Sequence, residues 1–163
     1  MTGETEPKAA APTELVVTRR FAAPRELVFK AWSSAEHIKR WFSPEDCTTP
    51  AAEIDFRVGG VFAVCMRLPD GVESWSRGRF DEIVAPERLA FTSTVTFGDS
   101  APLFTAHTSV AFAQDGDGTR MTVRQRYDIH DARFADVTQG ANEGWRTTLD
   151  KLEREVARIK AGG

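Results

Sequence analysis

Two cysteines, Cys47 and Cys65, are too few for a disulfide framework. No apolar stretch reaches the roughly 18 residues that a membrane-spanning helix requires, so membrane insertion is not expected. The opening residues, MTGETEPKAAAP, lack the basic-then-apolar order of a secretory signal. They read as a disordered leader, 1–12, of small residues and two prolines. Without an export signal the expected setting is cytoplasmic, with both thiols reduced. Cys65 reads as a small buried hydrophobe within a strand, and a regulatory Cys47–Cys65 bridge is the alternative. Net charge is −3 and no basic run stands out, which argues against a nucleic-acid partner. Also missing are G-x-x-x-x-G-K followed by Ser or Thr, H-E-x-x-H, paired C-x-x-C and G-x-S-x-G. Gly59-Gly60 is not a phosphate loop, because no helix is expected after it to supply the anion site.

What is present is ordinary globular composition, 41% hydrophobic and 28% charged, on 163 residues. That is most simply one domain, 13–160, able to bury roughly two thirds of its unfolded surface. Its longest pattern is a stripe at the C-terminal end: Phe134, Val137, Ala141, Trp145, Leu149, Leu152, Val156 and Ile159. Steps of three and four residues put these on one helix face. Between them the residues are mostly Thr, Asp, Glu, Lys and Arg. Asp150 with Arg154 and Lys151 with Glu155 stand four apart, the spacing of charge pairs on an outer face. A continuous helix here would run about 40 Å at 1.5 Å per residue. Gly140 and Gly144 each weaken its first turns by about 1 kcal/mol, so the firm part is expected after Gly144. They also leave room for a close backbone or a cavity.

The chain ahead of this helix reads as a sheet. Thr13 to Phe21 is a first strand. Pro24 is placed as a first helical residue, and Leu27, Val28, Ala31 and Trp32 follow at helical spacing. A second short helix, Ala35 to Phe42, ends at Ser43-Pro44. Strands are then expected over 48–58, 61–68, 72–84, 89–97, 104–113 and 119–129, separated by tight turns, which implies an antiparallel meander. Phe104, Ala106, Thr108, Val110 and Phe112 share a face, as do Met121, Val123, Gln125, Tyr127 and Ile129. The opposite faces hold Thr105, His107, Ser109, Thr122, Arg124, Arg126 and Asp128. One face therefore meets a core under the C-terminal helix and the other meets water. The strand 72–84 shows no clear phase, since Trp75 and Phe80 fall on opposite faces, and a bulge at Gly78 is expected.

This order, β–α–α–β₆–α, is an α+β arrangement in which a curved antiparallel sheet grips one long helix. It resembles the helix-grip, or START-like (SRPBCC), superfamily, and within it the Aha1-like family (activator of Hsp90 ATPase homologue). The matching segments are F-A-A-P-R-E-L-V-F-K-A-W at Phe21 to Trp32, W-F-S-P at Trp41 to Pro44 and D-F-R-V-G-G-V-F at Asp55 to Phe62. They continue with P-E-R-L-A-F-T at Pro86 to Thr92, G-T-R-M-T-V at Gly118 to Val123 and G-W-R-T-T-L at Gly144 to Leu149. The resemblance implies the fold over about 13–160. It does not select among the carriers, cyclases and co-chaperone domains that share that fold. Several matching residues have structural reasons: Pro24 and Pro44 delimit helices, and Glu82 can pair with Arg88 across a turn.

For function, a curved sheet under a helix leaves a cavity, and Gln125 is the polar interruption of an apolar face. A buried amide without partners costs about 1–3 kcal/mol, so protein, water or ligand must satisfy it. The expected site binds a small, mostly apolar molecule. Gln125, Tyr127 and Thr108 would orient its polar end, and Phe104, Met121, Trp145 and Leu149 would line the walls. No catalytic residue, metal ligand or cofactor is assigned. His37, His107 and His130 stand singly on different elements and read as solvated surface residues. Asp55 and Arg57 read as an exposed pair on a strand face. An enzymatic reading needs an inward ionisable group, for which Tyr127, Glu82 and Asp81 are the candidates. Other partners open to such a chain are a second copy, as a homodimer, and a chaperone, as the family name implies.

Overall fold

The computed structural model describes residues 13–162; the stretch 1–12, expected as a disordered leader, lies outside the described residues. The first strand, β1, is Glu14–Phe21. Two short helices follow, α1 at Arg25–Lys30 and α2 at Ala35–Trp41. Pro24 sits just outside α1 as its N-cap, with ψ of 150°, instead of being its first helical residue. Ser34 caps α2 by accepting a hydrogen bond from the His37 amide. The strands β2 Thr48–Ile54, β3 Val61–Arg67, β4 Glu73–Val84, β5 Arg88–Phe97, β6 Phe104–Asp115 and β7 Gly118–Ile129 then run without a helix between them. A 3₁₀ turn at Ala132–Phe134 leads into α3, Val137–Lys160.

All pairings are antiparallel and form one seven-stranded sheet in the order β1-β7-β6-β5-β4-β3-β2. The meander is closed on its β7 side by the N-terminal strand. Asp115 pairs with Gly118 across a two-residue turn in which Gly116 has φ of 65°, the left-handed conformation such hairpins demand. The irregularity in β4 lies at Asp81, between Phe80 and Glu82, and not at Gly78. Gly78 serves closeness: a Cβ there would lie 1.6 Å from the Thr92 carbonyl oxygen on β5. Asp55 and Arg57 do pair, at 2.8 Å, but in the turn after β2, since that strand ends at Ile54. Glu82 and Arg88 pair at 2.8 and 2.9 Å across the turn at Ala85-Pro86.

α3 lies over the inner face of this curved sheet, the helix-grip arrangement. The helix runs unbroken through Gly140 and Gly144, while Phe134 belongs to the preceding turn and not to the helical stripe. Its buried residues Leu149, Leu152, Val156 and Ile159 join one apolar cluster with Val28, Ile38, Trp41, Val110 and Met121. No helix among the described residues is long and apolar enough to cross a membrane.

The expected i,i+4 pairs Asp150–Arg154 and Lys151–Glu155 do not form; within α3 the pairs are i,i+3, Glu143–Arg146 and Glu155–Arg158, and the other charges reach other elements. Asp150 accepts from Arg19 on β1 at 2.7 Å, and Arg154 donates to Glu45 at 2.7 Å. Lys151 donates to the Cys47 carbonyl at 2.8 Å and to Ser43 Oγ at 3.1 Å. Glu155, only 4% exposed, meets His37 Nδ1 at 2.7 Å and Arg158 at 2.8 Å. His37 is therefore part of the α2–α3 contact and not a solvated side chain. Burial pushes the Glu155 carboxyl upward, and the hydrogen bonds from Arg158 and His37 outweigh it, holding the group below its ordinary value.

Candidate functional site

A cavity of about 500 Å³ lies between the first turns of α3 and the sheet. Its size falls in the roughly 300–1,000 Å³ range of small-molecule sites. The helix contributes Val137, Gly140, Ala141, Gly144, Trp145 and Thr148. The sheet contributes Ser74 and Ser76 from β4, Ser93, Val95 and Phe97 from β5, Phe104 and Ala106 from β6, and Gln125 and Tyr127 from β7. Phe42, Ser43, Pro44 and Cys47 from the α2–β2 connection, Met66 and Leu68 at the end of β3, Phe91 on β5 and Phe134 form the rest of the rim.

Side-chain size explains why the space is open. Inward positions alternate along a strand, so Ser74, Ser76 and Gly78 follow one another on the inner face of β4. Ser93 stands opposite Gly78, and Ala106 opposite Ser93. Five small residues thus occupy a patch that large apolar residues would fill. Trp75 points outward, where Arg77 Cζ stacks 4.4 Å from its ring centroid. That is why β4 has no clear phase if its aromatics are taken as core.

Gln125 is satisfied by protein neighbours. Trp145 Nε1 can only donate, and it reaches Gln125 Oε1 at 2.8 Å, which fixes the orientation of the amide. Tyr127 donates its hydroxyl proton to the same oxygen. Gln125 Nε2 donates to Thr108 Oγ1 at 2.9 Å. The amide therefore fastens α3 to β7 and β6 at the cavity wall. Burial pushes the Tyr127 hydroxyl well above its ordinary value. Burial first, then Asp46, pushes the Cys47 thiol up as well. Both groups are neutral at pH 7, and no carboxylate, imidazole, amine or guanidinium lines the cavity among the described residues.

Of the residues expected at the site, Gln125, Tyr127, Phe104 and Trp145 line the cavity. Thr108 is buried behind Gln125 and supports it without reaching the cavity. Met121 and Leu149 are fully buried in the packed core and do not line it. They share a face with the lining residues but lie further along their elements. Of the inward candidates, only Tyr127 faces in. Asp81 accepts from Thr92 at 2.6 Å on the outer face, and Glu82 is held by Arg88. His107 bridges Thr92 and Asp128 on that outer face, and His130 meets Thr105. A second hollow of about 330 Å³ there is lined by Glu14, Asp81, His107, Arg124 and Arg126 among others. Among the described residues no group of three His, Cys, Asp or Glu side chains converges as for a metal ion. Ser74, Ser76 and Ser93 carry no apolar period, so hydropathy spacing does not reveal them; their signal in the sequence is small residues recurring at alternate positions.

The family model described as Activator of Hsp90 ATPase homolog 1-like protein matches residues 22–157. The chain belongs to this family. A protein of solved structure from Nitrosomonas europaea is 30% identical, with 91% of this chain and 97% of that one covered and a TM-score of 0.77. One from Rhizobium loti is 28% identical over 87% and 95% of the two chains, with a TM-score of 0.74. The AHSA1 protein of Silicibacter pomeroyi, 23% identical over 90% and 99%, shares the fold at a TM-score of 0.75. No curated protein matches the chain. The family has the START-like fold, whose sheet and long helix are those described here.

Proposed function

We propose that this Aha1-like chain, one domain over 13–160, binds a small, mostly apolar molecule in the cavity between α3 and the sheet. The observation that carries this reading is the cavity itself, held open by serine, alanine and glycine where α3 and β4–β6 face each other. Apolar area removed from water there contributes roughly 25 cal/mol per Å² before ordering costs. Phe104, Trp145, Phe97 and Phe134 supply the walls. The absence of charged lining residues among those described supports binding over acid–base chemistry. A cytoplasmic setting accords with Cys47 and Cys65, both buried and unpaired.

A chaperone-binding role, which the family description suggests, would draw on an exposed apolar patch. Among the described residues the large hydrophobics left exposed are Val16, Val58, Val72 and Val84, on four separate segments, which supports the cavity reading instead. Mass spectrometry of the purified protein under native and then denaturing conditions tests it. The expected result is a co-purified small molecule lost on denaturation. An apo mass that stays unchanged after incubation with lipophilic extracts would count against it.

A further inference from the structure

The polar capacity of the cavity is unevenly used. Gln125 and Tyr127 spend theirs on each other, on Thr108 and on Trp145. Ser74, Ser76 and Ser93 do not: none of the three hydroxyls bonds to any described residue. Ser74 and Ser93 are 7% and 5% exposed. Among the described residues, the only side-chain polar atom sealed from solvent without a partner is Trp32 Nε1. The serine oxygens therefore open onto the cavity they line.

The three are close together. Ser74 and Ser76 are two apart on β4, so their side chains share a face about 7 Å apart. Ser76 pairs with Val95, two residues from Ser93, which makes Ser93 its diagonal neighbour at roughly 7–8 Å. Ser93 is separated from Tyr127 by β6 alone, about two strand spacings or 10 Å. A hydroxyl can both donate and accept, so this patch receives a hydroxyl or carbonyl group equally well. A carboxylate, phosphate or ammonium would enter with no opposite charge among the lining residues, and burying it would be costly. Lys151, whose ammonium reaches the lining Ser43, is already engaged by Ser43 Oγ and the Cys47 carbonyl.

We infer that the ligand is a neutral molecule with an apolar body and a hydroxyl or carbonyl group, and that Ser74, Ser76 and Ser93 receive that group. This rests on the cavity being a ligand site, and it moves the polar contact from Gln125 to β4 and β5. The test uses biphenyl, 4-phenylphenol and biphenyl-4-carboxylate as matched probes, titrated against the full chain and followed by tryptophan fluorescence. Wild type should bind 4-phenylphenol about five- to tenfold more tightly than biphenyl, and the carboxylate more weakly than either. In the Ser74→Ala/Ser76→Ala/Ser93→Ala variant the phenol should lose its advantage over biphenyl, to within about twofold. If the triple variant does not unfold cooperatively, Ser93→Ala alone should cut the advantage by about two- to threefold. A phenol preference that survives these substitutions overturns the serine assignment, and a carboxylate that binds tightest overturns the neutral class. In both cases biphenyl still binds. Absence of binding by all three probes contradicts the cavity reading as well.

Discussion

From Leu149 to Ile159, α3 buries Leu149, Leu152, Val156 and Ile159 in one cluster with Val28, Ile38 and Met121. From Val137 to Trp145 the same helix face carries Gly140, Ala141 and Gly144 over Ser74, Ser76, Ser93 and Ala106, and there a cavity of about 500 Å³ remains. α3 runs unbroken across both halves over one continuous sheet, so the halves differ in the side chains they present. The C-terminal half is also tied down by Arg19–Asp150, Arg154–Glu45 and the buried His37–Glu155–Arg158 contact. One half of the interface holds the fold together, which frees the other to stay open.

The largest expected effect is in the packed half. Leu149→Ala should cost about 2–5 kcal/mol in urea unfolding, because the residue is fully buried and its truncation leaves a cavity in the core. Trimming the cavity wall by Ala141→Gly should cost about 1 kcal/mol, mostly from helix propensity. Equal losses at the two sites would erase the distinction between the halves.

A smaller effect is expected at Glu155. Glu155→Gln should lose about 1.5–3 kcal/mol at pH 7, the range for hydrogen bonds to a charged group. Burial raises this carboxyl and its bonds to Arg158 and His37 more than compensate, so its folded-state value lies below the ordinary 4.5. A depressed carboxylate contributes stability that is fully present above 4.5 and fades as pH falls through the folded value. The gap between wild type and variant should therefore narrow in acid as pH falls below 4.5. A gap independent of pH in urea titrations would remove the charge from the explanation.

The smallest effect is a gain. A Cβ at Gly140 meets no atom within 4 Å, so Gly140→Ala should stabilise the helix by about 0.5–1 kcal/mol in thermal unfolding. A loss there would mean that the open end of α3 is packed more closely than the geometry indicates.

Much of this arrangement is legible in the residues. The stripe of α3, the alternation of β6 and β7 and the polar interruption at Gln125 all follow from period and spacing. The glycines of α3 mark where room is left. Period gives the face of an element but not the position along it, which is why Met121 and Leu149 share a face with the lining residues yet lie in the packed core. Local spacing also pairs Lys151 with Glu155. Glu155 instead pairs with Arg158, one turn on, and with His37, 118 residues away on α2, which only the tertiary fold brings near. In β4 the outward Trp75 and the bulge at Asp81 mask the inward run of small residues.

The most direct test of the account is the place where a ligand binds. In a ¹⁵N-labelled sample titrated with 4-phenylphenol, the largest shifts should fall on Ser93, Ala106, Tyr127, Gly144 and the Trp145 indole N–H, with Leu152–Ile159 unmoved. Shifts confined to His107, Arg124 and Arg126 around the outer hollow, or none at saturating probe, would contradict it.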